Sequence, residues 1–153
     1  MRQELRELYQ EVILDHTRNP RNHREIAGAT HSSEGFNPLC GDRATVFVSL
    51  EGDTVRDVSF VGKGCSIATA SASMMTEALK GKSRAEAERL FEEFHALITS
   101  APDKTGDAVS PALGKLLAFS GVSEFPLRVK CASLPWHTMK AALEGRDEPV
   151  STE

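Results

Sequence analysis

Apolar residues recur along the chain with two periods, and the elements change where the period changes. Leu5, Leu8, Tyr9, Val12 and Ile13 fall at i, i+3, i+4, i+7 and i+8, one face of a helix. "RNPRNH" stops it, because Pro20 disfavours the α conformation at Asn19 and asparagine is at home in turns. Residues 24–44 are polar and turn-rich, with Gly28, Gly35 and Pro38, and read as an extended loop or a short first strand. The period then falls to two. Val46, Val48 and Leu50 alternate, Glu51-Gly52-Asp53 turns, and Val55, Val58, Phe60 and Val61 resume, which predicts a β-hairpin. After Gly62-Lys63-Gly64, helix-compatible residues run from Ser66 to Leu79. Ser83 and Glu86 have capping-box spacing and open a helix whose apolar face is Ala87, Leu90, Phe91, Phe94, Leu97 and Ile98. "TSAPDKTGDAVSP" reads as a loop, and Ser110-Pro111 starts a short helix with Leu113, Leu116 and Leu117 inside. A last helix is expected over roughly Pro135 to Leu143, with a frayed tail over about 146–153. The order predicts one α+β domain over 1–153, with helices packed on one face of a small antiparallel sheet of about three strands.

Composition narrows the function. The 153 residues are 40% apolar and 26% charged, an ordinary globular balance without a disorder signature. A net charge of −4 argues against a nucleic-acid partner. Charges recur every few residues in the first helix, unlike a signal peptide, and no apolar run approaches the ~18 residues of a membrane span. The expected compartment is the cytosol. There, an odd count of three cysteines points to metal ligands or reactive thiols rather than disulfides.

Each cysteine sits at a junction. Cys65 follows Gly62-Lys63-Gly64 where strand gives way to helix, and a helix N-terminus favours an anionic sulfur. Cys131 is expected between a short extended segment and the last helix, with Arg128 and Lys130 nearby to favour a thiolate; without it, both would read as solvated surface charges. Cys40 and Asp42 flank Gly41, whose freedom suits a loop. Three thiolates and one carboxylate would complete a tetrahedral Zn²⁺ set if the fold brought them together. Separations of 25 and 66 residues leave that to the fold, and each cysteine taken alone reads more readily as a small buried hydrophobe, a reading that the placement of all three at junctions weakens. Gly81-Lys82-Ser83 looks like the end of a P-loop, but the earlier position that loop requires is Thr76, not glycine, so a nucleotide site is excluded. The five histidines read as structural or solvated, with His16 the last residue on the buried side of the first helix and His95 on a helix surface.

The motifs "LYQEVILDHTRNPRNH", "NPLCGD", "GKGCSIATASASMMTE" and "RVKCASLPW" together resemble the IscU/NifU-N family of iron–sulfur assembly proteins, over residues 5 to about 144. Within the family the chain is similar to the SufU-type branch. Lys130 stands where IscU-type scaffolds place a histidine, and 100–125 looks like the SufU-type insertion between the second and third cysteines. The resemblance implies an IscU/SufE-like fold with Cys40, Asp42, Cys65 and Cys131 converging on zinc, supported by Gly41, Gly64, Arg128 and Lys130. It implies a sulfurtransferase, with no turnover of its own expected without its desulfurase, in which Cys40 accepts persulfide sulfur. The implied partners are a SufS-type, pyridoxal-phosphate-dependent cysteine desulfurase and a downstream SufBCD-type scaffold, with no nucleic acid or membrane, the chain being a monomer or weak homodimer. The alternative is an IscU-like scaffold that binds iron and assembles the cluster on itself. Cys40 and Asp42, expected on one mobile loop, form the releasable side of the site, with Cys65 and Cys131 as anchors.

Overall fold

The computed structural model describes residues 3–39, 41–99, 111–145 and 149–151. The elements run α1 (Gln3–Arg18), β1 (His31–Asn37), β2 (Asp42–Glu51), β3 (Thr54–Lys63), α2 (Ser66–Leu79), α3 (Arg84–Thr99), a 3₁₀ segment (Pro111–Glu124), α4 (Pro126–Leu143) and β4 (Val150–Ser151). The class is α+β. The sheet, in the order β3-β2-β1-β4, has four strands rather than about three, and it is mixed rather than antiparallel throughout. β4 lies parallel to β1, with Gly35 opposite Val150 and Phe36 opposite Ser151. Part of the tail expected to fray is thus paired, and it satisfies backbone groups that the outer edge of β1 would otherwise expose. At the opposite edge, the Phe60 N–H donates to the Asn22 carbonyl at 3.0 Å and the His23 ring stacks on Phe60 at 4.9 Å.

Local signals hold where they are strong. The β2–β3 hairpin turns where expected, with an irregularity at Ser49/Leu50. α2 spans the anticipated residues, and its small side chains let it pack against both α1 and α4. At the start of α3, the Ser83 N–H donates to Glu86 Oε1 and the Glu86 N–H donates to Ser83 Oγ, each at 3.1 Å. The six apolar residues assigned to the inner face of α3 are buried. On α1, Tyr9, Val12 and Ile13 pack against the core, whereas Leu8 is exposed. Leu113 and Leu116 are buried on the segment opened by Pro111, which is 3₁₀ rather than α and kinks at Gly114 (φ 50°). The 100–110 part of the expected insertion lies outside the described residues.

α4 corrects the sequence reading most. It starts at Pro126, nine residues before the expected Pro135, and carries Pro135 in its interior. Proline at the first helical position costs no hydrogen bond, which makes Pro126 the better start. The helix hides from periodicity because it is surrounded: β1 and β2 cover one side and α2, α3 and the 3₁₀ segment the other. A helix buried on most sides shows no amphipathic stripe. At its centre Trp136 stacks on Phe94 at 4.6 Å, and Phe119 meets Phe94 edge-on at 5.6 Å. The inward residues of β1 are Ser33, Gly35 and Asn37, small or polar because α4 passes close above them. A Cβ at Gly35 would overlap Thr138 Oγ1 and approach Leu134 Cδ1 to 3.1 Å.

Candidate metal centre

The inner end of the sheet brings three elements together. Asp42, the first residue of β2, is 2% exposed, and its Oδ1 accepts the Cys65 backbone N–H at 2.9 Å. Its Oδ2 lies 3.8 Å from Cys65 Sγ. Cys65 is the N-cap of α2, as its place after the glycine turn implied. Its backbone is extended (φ −68°, ψ 170°), its carbonyl accepts the Thr69 N–H at 3.0 Å, and its thiol is half-buried. Gly64 leaves room for the carboxylate, since a Cβ there would stand 3.3 Å from Asp42 Oδ1.

Cys131 arrives from the opposite side, fully buried on α4. It is the sixth residue of the helix rather than a residue preceding it, so the helix-terminus argument does not apply: the macrodipole effect fades within the first turn. What holds it is the packing of α4, including a bond from Ser71 Oγ to the Ala132 carbonyl at 2.6 Å. Arg128 is exposed one turn before Cys131, and Lys130 is half-buried beside it.

Ligand atoms of Asp42, Cys65 and Cys131 all lie within 4.8 Å of one another. A tetrahedral zinc with bonds near 2.3 Å to sulfur and 2.0 Å to oxygen separates its ligands by about 3.8 Å (S···S) and 3.5 Å (S···O). The Asp42–Cys65 separation of 3.8 Å already approaches that edge, so the donors present fit zinc in both chemistry and spacing. Among the described residues the cluster contains no histidine. His16 is buried against Ser73 at 2.7 Å, while His95 and His137 pack edge to face, with ring centroids 5.7 Å apart.

Cys40 itself lies outside the described residues, but both neighbours are placed. Gly41 adopts φ +73°, a left-handed conformation that suits glycine, and Leu39 is 60% exposed. Asp42, expected on one mobile loop with Cys40, is instead the first residue of β2, opposite Asn37, and its carboxylate accepts the Cys65 N–H at the start of α2. Asn37 is the residue the sequence reading passed over. It ends β1 fully buried, with Nδ2 3.9 Å from Cys131 Sγ. Its signal was an asparagine three positions before a cysteine at the end of an otherwise weak strand. A surface cavity of about 590 Å³ lies along the sheet around Thr45, Phe47 and Val61, and none of its lining residues is a candidate ligand.

An α+β domain that gathers two cysteines and an aspartate at one end of a mixed sheet is the structural class to which these observations assign the chain. The NifU-like N-terminal domain model matches residues 8–132, and the chain belongs to that family, which includes IscU- and SufU-type iron–sulfur cluster assembly proteins. It is 41% identical over 133 residues to the zinc-dependent sulfurtransferase SufU of Bacillus subtilis, covering 87% of each chain. It is 36% identical over 140 residues to the iron–sulfur cluster assembly scaffold protein IscU of Streptococcus pyogenes, covering 92% of this chain and 85% of that one. A crystal structure described as an iron–sulfur cluster assembly scaffold for the SUF system, from Fervidobacterium islandicum, superposes with a TM-score of 0.78 at 34% identity, over 87% of this chain and 94% of that one. Among the described residues no helix is long and apolar enough to cross a membrane.

Proposed function

We propose that this chain is a zinc-dependent sulfur acceptor and carrier. It would take persulfide sulfur from a SufS-type, pyridoxal-phosphate-dependent cysteine desulfurase and deliver it to a SufBCD-type scaffold. The observation that carries the reading is the convergence of Asp42, Cys65 and Cys131 from three elements, with Lys130 in place of a histidine before the third cysteine. The likeness to a protein named as a zinc-dependent sulfurtransferase supports it.

Cys40, Asp42, Cys65 and Cys131 would hold the zinc, which when bound keeps thiols deprotonated and shielded from oxidation. Cys40 is the nucleophile. As a thiolate it attacks the outer sulfur of the partner's persulfide; the new S–S bond forms on Cys40, the old one breaks, and the partner's cysteine leaves as a thiolate. No oxidant or reductant is consumed. Cys65 on the α2 cap, Cys131 inside α4 and Asp42 in β2 keep their places while Cys40, on the 38–41 connection, departs.

The docking face follows from the need for sulfur atoms to touch. Leu39, Phe125 and Leu127 are exposed apolar residues around the ligand elements, and Arg43, Lys63 and Arg128 are exposed and basic there, which suits a partner patch both apolar and acidic.

Catalytic amounts of this protein should raise the turnover of a SufS-type desulfurase. Cys40→Ser should abolish both that stimulation and ³⁵S-persulfide on this chain, and Arg128→Ala should weaken the stimulation. Label persisting on Cys40→Ser would sink the acceptor assignment. The second reading, a scaffold, is favoured by relatives named as scaffolds. It requires coloured, iron-containing protein as isolated, whereas the carrier is colourless with about one zinc per chain.

A further inference from the structure

Three interactions meet on Asn37. The Leu39 N–H donates to its Oδ1 at 3.2 Å, the Gly41 N–H donates to its carbonyl at 2.9 Å, and its Nδ2 faces Cys131 Sγ at 3.9 Å. The first interaction fixes the amide's orientation. A backbone N–H can only donate, so the atom facing Leu39 is the oxygen and the NH₂ must face the sulfur. A buried amide donor without an acceptor is costly, and a thiolate accepts better than a thiol. The Asn37 amide is therefore best satisfied when the Cys131 sulfur carries negative charge. Leu39 and Gly41 flank Cys40 in sequence, so Asn37 holds both neighbours of the proposed nucleophile.

We infer that Asn37 is a positioning residue that couples the two sides of the site. Through Nδ2 it draws charge from the Cys131 sulfur and tempers its strength as a donor to the metal. Through Oδ1 and its carbonyl it holds Leu39 and Gly41, the neighbours of Cys40 in sequence. One residue thus ties the Cys131 sulfur to both neighbours of Cys40. Outer-shell partners of metal ligands orient and tune them elsewhere. The inference rests on the metal-site reading above.

The test uses the full chain with Co²⁺ in place of zinc, together with Asn37→Asp, which keeps an oxygen for Leu39 but removes the donor to sulfur. The thiolate-to-cobalt charge-transfer band should move to longer wavelength, and zinc should pass to a competing chelator more slowly, because the sulfur regains its full strength as a donor. Asn37→Ser serves if the aspartate variant does not fold. A wild-type protein with no thiolate–cobalt band would refute the metal site itself. A normal wild-type band that neither variant moves, with zinc release unchanged, would overturn the role of Asn37. A third measurement needs no variant: in protein loaded with NMR-active cadmium, the Asn37 side-chain amide protons should couple to the metal through the sulfur, and absence of that coupling counts against the inference.

Discussion

Gly35→Ala tests the packing that builds the site. An added Cβ would overlap Thr138 Oγ1, and it would stand 3.1 Å from Leu134 Cδ1 and 3.3 Å from Thr138 Cβ, where ordinary contact begins at 3.4 Å. The two carbon contacts need only a few tenths of an ångström. The oxygen cannot move so cheaply, because Thr138 is fully buried and its hydroxyl donates to the Leu134 carbonyl at 2.7 Å. Either the strand backs away from α4 or the hydroxyl rotates and loses its partner. Overpacking costs about 1–3 kcal/mol and an orphaned buried hydroxyl a further ~1–3, for a total of roughly 2–6 kcal/mol. At about 2–4 °C per kcal/mol, the zinc-free protein should melt roughly 4–24 °C lower. If the strand moves, Asn37 two residues on is drawn from Cys131, lengthening a contact already at 3.9 Å. Thr138→Ala removes the obstructing atom, so the double variant should recover about 0.5–3 kcal/mol relative to the sum of the single changes. A Gly35→Ala protein melting within about 1 °C of the parent, or strictly additive changes, would refute the close approach of β1 and α4.

Two further outcomes follow from the same geometry. Asp42→Ala leaves the Cys65 N–H at the start of α2 without its acceptor and should destabilise the zinc-free protein by about 1 kcal/mol, whereas Asp42→Asn keeps an oxygen there and should recover most of it in thermal melts. Burial lowers the His16 pKa, with Arg21 adding to the effect against Glu77 and Asp15; burial also lowers that of His137, aided by His95 and Lys140 against Glu92. Folded values below the ordinary 6.5 mean that the unfolded chain takes up protons first. Stability should be full above pH 6.5 and fall as the pH drops below it, and in zinc-free protein His137→Phe should flatten that slope; an unchanged slope would exclude His137 as a contributor.

What was legible in the sequence was local. The Ser83–Glu86 box and the run from Ser66 to Leu79 announce helices through neighbours three and four residues apart, and the β2–β3 hairpin through simple alternation. β1 could not be read that way. "HSSEGFN" offers serine, glycine and asparagine at its inward positions because a helix packs close above them, and alternation of apolar residues has nothing to detect. The first half of α4 was hidden by being buried on most sides, and Pro135 drew attention away from the better start at Pro126. That Asp42, Cys65 and Cys131 are candidates to meet was legible from residue type. Their anchoring was not, because the bond from the Cys65 N–H to Asp42 and the approach of Asn37 to Cys131 span 23 and 94 residues, and only the assembled sheet brings them together.

β4 gives the C-terminus an unexpected use. Val150 and Ser151 lie beside Gly35 and Phe36, immediately before Asn37, so β4 is in register with the strand that leads toward Cys40. A fluorophore or spin label attached at Ser151 is therefore a reporter of β1, able to register partner docking or metal loss at a distance. An affinity tag fused to the same end is a load on that strand rather than a passive handle.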